Sequence, residues 1–199
     1  ILFLILWLEI RSLRVFYGLF SIIFLIIAES VLRSAYVSRQ NDLVVYDVGG
    51  GAIVDAFENG FYRTYRVGAP DEANTKFAAT NRRIWSACDP LFTLDGGGAF
   101  CFDGQMVYVA GNKADFDTLA CTENVRLLVV SGFGYNRPEP LLTCLNPEIV
   151  VLDRNLSRRI TEKWLLLQKN SSPFTLHNIK TDGAFSLSAH SNSSKPWEQ

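Results

Sequence analysis

Runs of apolar residues, separated by short polar turns, divide most of the chain into successive strands. The β-branched stretch "DLVVYDV" ends at the glycines of residues 49–51, and "AIVDAF" resumes directly after them. This pattern predicts two strands joined as a hairpin. A turn at "ENG", residues 58–60, leads into "FYRTYRV", which predicts a third antiparallel strand. A phosphate-binding loop at the glycines is disfavoured, because such a loop precedes a helix and here a strand follows.

A short helix and three further strands are predicted in the next forty residues or so. Phe77 and Ile84 are seven residues apart and lie on the same side of a helix over residues 74–85. Turns at residues 96–98 and at Asp103 and Gly104 separate "PLFTLD", "AFCF" and "QMVYVAG". We expect these three stretches to be strands linked by hairpins.

From Arg126 onwards the pattern changes to strands that alternate with helices. Two continuously apolar stretches, "RLLVVS" and "EIVVLD", predict strands buried on both faces. "PEPLLTCL" predicts a short helix whose prolines lie in its first turn, where proline is tolerated. "LSRRITEKWLLLQK" predicts a longer helix with one apolar stripe toward the sheet. The stripe consists of Leu156, Ile160, Trp164 and Leu167.

Two more strands, near residues 174–177 and 184–187, complete one domain over residues 43–188. Residues 189–199 are polar, and this composition predicts a disordered tail. The order of elements is β-rich first and alternating afterwards. It predicts an α/β fold in which helices pack on a mixed sheet.

Residues 1–33 are predicted to be membrane helices, because charges are rare there. Residues 12–32 form about 31 Å of helix, enough for a hydrocarbon core of about 30 Å, and residues 1–8 fit the end of a preceding helix. Residues 34–42 then form a linker. Since the chain does not begin with Met, we expect it to be a piece of a longer protein. A signal peptide and a buried helical hairpin are the alternatives for the apolar segment.

Charge and cysteine usage exclude some classes of site. Residues 40–199 hold 15 Lys and Arg against 18 Asp and Glu, whereas a broad nucleic-acid surface is usually basic. A local basic cluster fits a solvated helix face better, and it consists of Arg154, Arg158, Arg159 and Lys163. The four cysteines have no zinc-site spacing, and a disulfide among them is expected only if the domain lies outside the cell. They are Cys88, Cys101, Cys121 and Cys144.

Taken together, the motifs resemble the C-terminal metallo-β-lactamase-like domain of ComEC-type competence proteins, the bacterial membrane channels of DNA uptake. "VVYDVGGGAIVDAF" is similar to the opening of that domain, where a strand ending Asp-Val-Gly-Gln-Gly leads into a second strand. The matching positions are Asp47, Val48, Gly49 and Gly51. Gly50 and Ala52 depart from the family pattern. "LNPEIVVLD" and "TDGAFSL" resemble later strands, so the resemblance covers essentially the whole chain.

The resemblance implies a divergent subgroup with a degenerate site, because the metal ligands of the family are missing. Where the family carries His-His-Gly-Ser, this chain has Ser131 and Gly132 in place of the two histidines. The sequence has no H-x-H-x-D-H, and its histidines are His177 and His190. A metal pair around a bridging hydroxide needs several such ligands. We therefore expect no metal, no cofactor and no catalytic residue.

Two other kinds of catalytic site fit the sequence less well. A nuclease with an all-carboxylate Mg²⁺ site would have to gather dispersed aspartates. These are Asp47, Asp55, Asp95, Asp103 and Asp153. We expect Asp47, Asp55 and Asp153 to cap turns instead, since Asp favours such positions. A serine hydrolase is disfavoured, because "SGFG" is not G-x-S-x-G and only His177 is placed to act as a base.

By resemblance, the chain is expected to be the C-terminal portion of a ComEC-like protein of the bacterial inner membrane, with an inactive domain on the outer face. The expected partners are membrane lipid and, in the full-length protein, single-stranded DNA; no oligomeric state is predicted. The alternative is a membrane-anchored binding or scaffold domain unrelated to DNA uptake. That alternative predicts an exposed apolar patch or groove around Tyr62, Tyr65, Phe133 and Tyr135, although the same aromatic residues fit a core position equally well.

Overall fold

A computed structural model describes residues 13–37, 40–111, 113, 117, 124–171 and 174–189 of the protein. The chain divides into two compact units, Ile1–Arg39 and Gln40–Gln199. The predicted end of a preceding helix at residues 1–8, the tail after Ala189 and His190 lie outside the described residues.

The first unit contains one described helix, α1, over Leu13–Val37. Its stretch Tyr17–Val37 has 21 residues and a mean hydropathy of 1.8, and none of it is buried within the protein. Helix α1 is therefore long and apolar enough to cross a membrane, and it is also compatible with a signal sequence. It continues past the predicted end of the span, so residues 34–37 of the predicted linker are helical.

The second unit contains two five-stranded sheets, and we call the first of them sheet one. Its strands are β1 Asp42–Tyr46, β2 Gly51–Glu58, β3 Phe61–Gly68, β4 Asp89–Asp95 and β10 Phe185–Ser188. They lie in the order β10-β1-β2-β3-β4. All neighbours are antiparallel except β3 and β4, which are parallel and are connected through helix α2, Glu72–Ser86.

The other sheet, sheet two, is mostly parallel. Its strands are β5 Gly98–Phe102, β6 Gln105–Ala110, β7 Leu127–Val130, β8 Ile149–Leu152 and β9 Thr175–Asn178, in that spatial order. Only β5 and β6 are antiparallel. Helix α3, Pro138–Leu145, connects β7 to β8, and α4, Arg158–Ser171, connects β8 to β9. A short helix, α5, spans Ile179–Asp182 before β10.

Two apolar cores hold these elements together. The inner core lies between the sheets, where Val54 and Tyr65 of sheet one meet Val109 and Val129 of sheet two. The outer core lies on the far face of sheet two, where α3 and α4 pack against its strands and Trp164 is fully buried. The far face of sheet one is covered by α2, through Arg83 and the buried residues of that helix. The layers therefore follow the order helix, sheet, sheet, helices.

The structure confirms a mixed α/β fold and corrects the expected pairing of strands. The two N-terminal hairpins form as predicted, and helices cover the three predicted helical stretches. There are two mixed sheets rather than one. The prediction of a β4–β5 hairpin is wrong, because Gly96 and Gly97, at φ +103° and +81°, carry the chain from sheet one to sheet two. Leu156 is buried in the outer core but precedes α4.

Candidate functional site

Polar side chains meet where two central strands of sheet two end, and we call Ser131, Asp153 and Asn155 the strand-end cluster. Ser131 directly follows β7, and Asp153 directly follows β8. Because parallel neighbours end at the same edge of a sheet, the two side chains lie together, and Ser131 Oγ donates to Asp153 Oδ2 at 3.1 Å. The backbone N–H of Phe133 donates to Ser131 Oγ at 3.3 Å. The Ser131 hydroxyl thus serves as both donor and acceptor within the fold.

Asn155 joins the strand-end cluster to the turn between β1 and β2. Its amide Nδ2 lies 3.1 Å from the carbonyl oxygens of both Val48 and Gly51, and its Oδ1 accepts from the N–H of Gly50 at 3.2 Å. The same Nδ2 lies 3.0 Å from Asp153 Oδ2. The two hydrogens of Nδ2 are shared among these acceptors, and together with Oδ1 they link the glycine turn of sheet one to the segment after β8 in sheet two.

The glycines at this junction allow the backbones to approach closely. A Cβ at Gly132 would lie 2.3 Å from the carbonyl oxygen of Asn155. A Cβ at Gly50, whose φ is +81°, would lie 2.6 Å from the carbonyl oxygen of Ala69. Either side chain would force two backbones apart. Gly132 therefore allows the segments after β7 and β8 to approach each other, and Gly50 allows the glycine turn to approach the segment after β3. As expected, β2 follows the glycine turn directly. The N-terminus of α2 lies beside the turn from another part of the chain, and there the N–H of its N-cap, Asp71, donates to the carbonyl oxygen of Gly49 at 3.3 Å.

Asp153 supplies the carboxylate of the strand-end cluster and is buried, with 1% of its surface exposed. Burial raises the pKa of Asp153, and hydrogen bonds from Asn155, from Ser131 and from the backbone of Gly132 counteract that rise in part. These donors occupy the carboxylate oxygens. Asp153 therefore caps the turn after β8, as the sequence predicts.

The five aspartates considered as Mg²⁺ ligands are not gathered into one site. Asp47 forms an ion pair with Arg154, at 3.1 Å between Oδ1 and Nη1, and Asp95 pairs with Arg66 at 2.9 Å. Asp103 lies in the turn between β5 and β6. Within the described part of the chain, no group of three or more His, Cys, Asp or Glu residues is placed to hold a metal ion.

Asp55 does not cap a turn and so corrects the prediction. It lies in the middle of β2, fully buried, and Arg83 of α2 binds both its oxygens, at 2.8 Å through Nε and 2.9 Å through Nη2. Thr64 Oγ1 donates to Asp55 Oδ1 at 2.7 Å. The guanidinium also lies 5.0 Å from the ring centre of Tyr62, a cation–π distance. We call Asp55, Thr64 and Arg83 the polar clamp between α2 and sheet one.

Burial and the charges of the polar clamp together shift the pKa values of Tyr46 and Arg83. Burial, and then the charge of Asp55, raise the pKa of Tyr46 far above its usual range, so its hydroxyl stays protonated. Burial alone would lower the pKa of Arg83, but the hydrogen bonds and charge of Asp55 outweigh burial and leave that pKa raised. The polar clamp is thus a paired charge within the fold, and no free general base remains in it.

The remaining predicted site residues are dispersed. His177 Nε2 lies 2.9 Å from the carbonyl oxygen of Gly183, and its ring packs on Phe185, which is a structural role. The four aromatic residues do not form one exposed patch or groove, because they lie in different places, and two of them pack in or against the cores. Tyr65 stacks on Phe100 in the inner core, Tyr135 packs on the outer core, Tyr62 lies beside the polar clamp, and Phe133 is exposed.

The basic cluster and the cysteines are likewise explained locally. Arg158 pairs with Glu162 one turn along α4, and Arg154 pairs with Asp47, so two of the four basic residues have acidic partners. Cys88 and Cys101 carry free thiols, and Cys144 is disulfide-bonded. Burial raises the pKa of Cys88, which keeps that thiol protonated and unreactive.

Compared with known proteins, the chain matches no family model, no curated protein and no solved structure. The candidate site therefore rests on its geometry. Sequence reasoning missed Asn155 and Arg83, the two residues that connect distant parts of the fold. A signal existed for Arg83, because an isolated Asp within the apolar strand "AIVDAF" needs a buried partner. No local pattern distinguished Asn155 from an ordinary turn residue.

Proposed function

We propose that the chain is the C-terminal portion of a ComEC-like DNA-uptake protein of the bacterial inner membrane, with a metallo-β-lactamase-like domain that has a structural or strand-guiding role. The strand-end cluster is the observation that carries this proposal. At the edge where the active family places two imidazoles, Ser131 and Asn155 are bound to Asp153 and to the glycine turn. The layer order of helix, sheet, sheet and helices supports the same fold class.

The proposed domain is not a hydrolase, because its strand ends cannot activate water in the usual way. A hydroxyl is a poor ligand for Zn²⁺ compared with His, Cys or a carboxylate. The Asp153 carboxylate already accepts from Ser131, Asn155 and the backbone. Without a bound ion, nothing lowers the pKa of water toward about 7, so the nucleophile is missing. Asp153 and Asn155 are therefore assigned to holding the glycine turn in place.

The proposed location is the outer face of the membrane, anchored by α1. The apolar length of α1 suits a span, and the disulfide at Cys144 suits an oxidising compartment, since disulfides are rare in the cytosol. Single-stranded DNA is the proposed cargo of the full-length protein. The domain's own charge, acidic rather than basic, argues against a broad DNA-binding surface on it.

A membrane-anchored scaffold domain is the second candidate function. Its supporting observation is an apolar face that α2 turns away from sheet one, with Phe77 and Trp85 exposed. A scaffold would use such a face for assembly and would have no part in DNA uptake. A nuclease with an all-carboxylate Mg²⁺ site has no such support, because its candidate aspartate ligands are already paired or lie apart.

Genetic deletion in a naturally transformable host tests the proposal. Loss of the parent gene should abolish uptake of free DNA, while electroporation of the same DNA into the deletion strain should remain efficient. A restored gene carrying Asp153→Asn should recover uptake, because Asp153 is assigned no catalytic step. Unchanged transformation after deletion would contradict DNA uptake and favour the scaffold. Loss of uptake in the Asp153→Asn strain, with normal protein level, would contradict the inactive domain.

A further inference from the structure

Helix α2 turns its large apolar side chains away from the protein. Phe77, Ile84 and Trp85 are 85%, 68% and 81% exposed. The residues that α2 buries are small, Ala79 and Ser86. At about 100° per residue, the three large side chains fall within one stripe of the helix surface. A helix normally buries such a stripe, so the exposed stripe of α2 indicates an external contact.

The C-terminal half of α2 lies where the chain enters the second unit. Arg82 forms an ion pair with Asp42, the first residue of β1. Cys88, just after α2, is in contact with Gln40, the first residue of the unit. Helix α1 ends at Val37, three residues before Gln40, and three extended residues reach about 10 Å at most. The sequence therefore places only a short connection between the end of α1 and the residue that Cys88 contacts.

The chemistry of α2 suits the interface of a bilayer. Tryptophan is enriched at membrane interfaces, and helices that lie there combine an apolar stripe with basic residues beside it. Lys76 is exposed on α2, Arg82 is also exposed but is paired with Asp42, and Glu72 is the acidic residue of the first turn. Basic side chains at this position would be attracted to anionic headgroups.

We propose that α2 lies in the headgroup region of the bilayer that α1 crosses, with Phe77, Ile84 and Trp85 inserted toward the acyl chains. This inference rests on the proposed membrane anchor. Three side chains would hold a free domain to lipid only weakly, but the short tether keeps α2 at a high effective concentration beside the membrane. The contact fixes which face of the domain is turned to the lipid.

Quenching by brominated lipid tests the contact on the full chain. The chain is reconstituted in vesicles of phosphatidylcholine and phosphatidylglycerol, with or without bromine on the acyl chains, and is compared with Trp85→Phe. The emission that this substitution removes belongs to Trp85. Brominated vesicles should lower that emission at least about twofold. The double variant Phe77→Asp, Ile84→Asp should restore the Trp85 emission. The control variant Leu165→Asp, Leu166→Asp changes two exposed residues of α4 and should leave the emission quenched.

Flotation of the vesicles separates the possible failures. A chain that floats while Trp85 emission is unquenched overturns the inference and leaves the membrane anchor intact. Unquenched but blue-shifted emission overturns it in favour of a protein contact, from a second copy or another segment. A chain that does not float overturns the anchor and the inference together. The conservative Trp85→Phe comparison decides the matter even if the double aspartate variant fails to fold.

Discussion

The two outer faces of the paired sheets are covered by helices in opposite ways. On sheet two, α4 buries Trp164 completely and packs it edge-to-face on Phe174. On sheet one, α2 buries Ala79 and Ser86 and leaves Trp85 81% exposed. One helix is attached by apolar burial, whereas the other is attached by the polar clamp.

This difference shows what each helix is free to do. Apolar packing uses the Trp164 side chain of α4 for stability, so that side chain is not available for binding. The polar clamp places Arg83 of α2 against Asp55 with directed hydrogen bonds, and the close approach of the helix needs only small residues beside it. The large side chains of α2 are therefore not needed for packing and are available for the proposed contact with lipid. Substitution of a large apolar residue should therefore lower the free energy of unfolding much more on α4, at Trp164, than on α2, at Trp85.

Replacement of the two tryptophans should give the largest contrast. Trp164→Ala should lower the free energy of unfolding by about 3–5 kcal/mol, because it leaves a cavity in the outer core. Trp85→Ala should change that free energy by less than about 0.5 kcal/mol, since the side chain is mostly exposed. Urea unfolding of the chain in non-ionic detergent, followed by circular dichroism, measures both. Equal losses would mean that Trp85 is also a core residue.

Breaking the polar clamp should have the next largest effect. Asp55→Asn should lower the free energy of unfolding by about 3 kcal/mol, because Arg83 then lacks its counter-charge in a partly buried place. Arg83→Met should cost a similar amount, since it leaves the buried carboxylate unpaired. The double variant should lose less than the two single losses combined. Strict additivity in this double-mutant cycle would show that the pair does not hold α2 to sheet one.

The strand-end cluster should produce a smaller, pH-dependent effect. Because burial raises the pKa of Asp153 above the ordinary value of 3.8, the folded chain binds more protons than the unfolded chain just above that value. The contribution to stability is therefore complete at lower pH and is lost as pH rises through the raised pKa. Asp153→Asn should remove this decline.

Urea midpoints of the wild type and of Asp153→Asn, measured between about pH 4 and pH 7, give the comparison. The wild type should lose stability relative to the variant as pH increases. Asp95→Asn, at an exposed ion pair, is the matched control and should leave the pH profile of the wild type unchanged. A constant difference between wild type and Asp153→Asn across the range would contradict a raised pKa.

Local pattern predicted most elements of the fold but not the way distant strands pair. The hairpin of β1 and β2 and the buried strands β7 and β8 follow from adjacent residues and turn chemistry. The pairing of β10 with β1 joins residues up to 146 positions apart, and β4 pairs parallel to β3 after a helix. Such pairings depend on the tertiary fold, which the period of apolar residues does not encode.

The candidate site was predictable only for polar residues that directly follow a recognisable strand. Ser131 and Asp153 end strands that are recognisable in the sequence, so their meeting follows from parallel pairing. Asn155 and Arg83 act across long sequence separations and were identified only by their contacts. The exposure of Trp85 was not predictable either, because an apolar residue in a helix is normally expected inside.

Metal analysis of the full chain tests the central claim, that the strand ends hold no catalytic metal pair. The chain purified in detergent would be equilibrated with Mn²⁺ and with Zn²⁺, analysed for bound metal, and assayed on single-stranded and duplex DNA. We predict metal at background level and no cleavage, because Asp153 is already bound by Ser131 and Asn155. About two metal ions per chain, with cleavage that Asp153→Ala abolishes, would contradict this account.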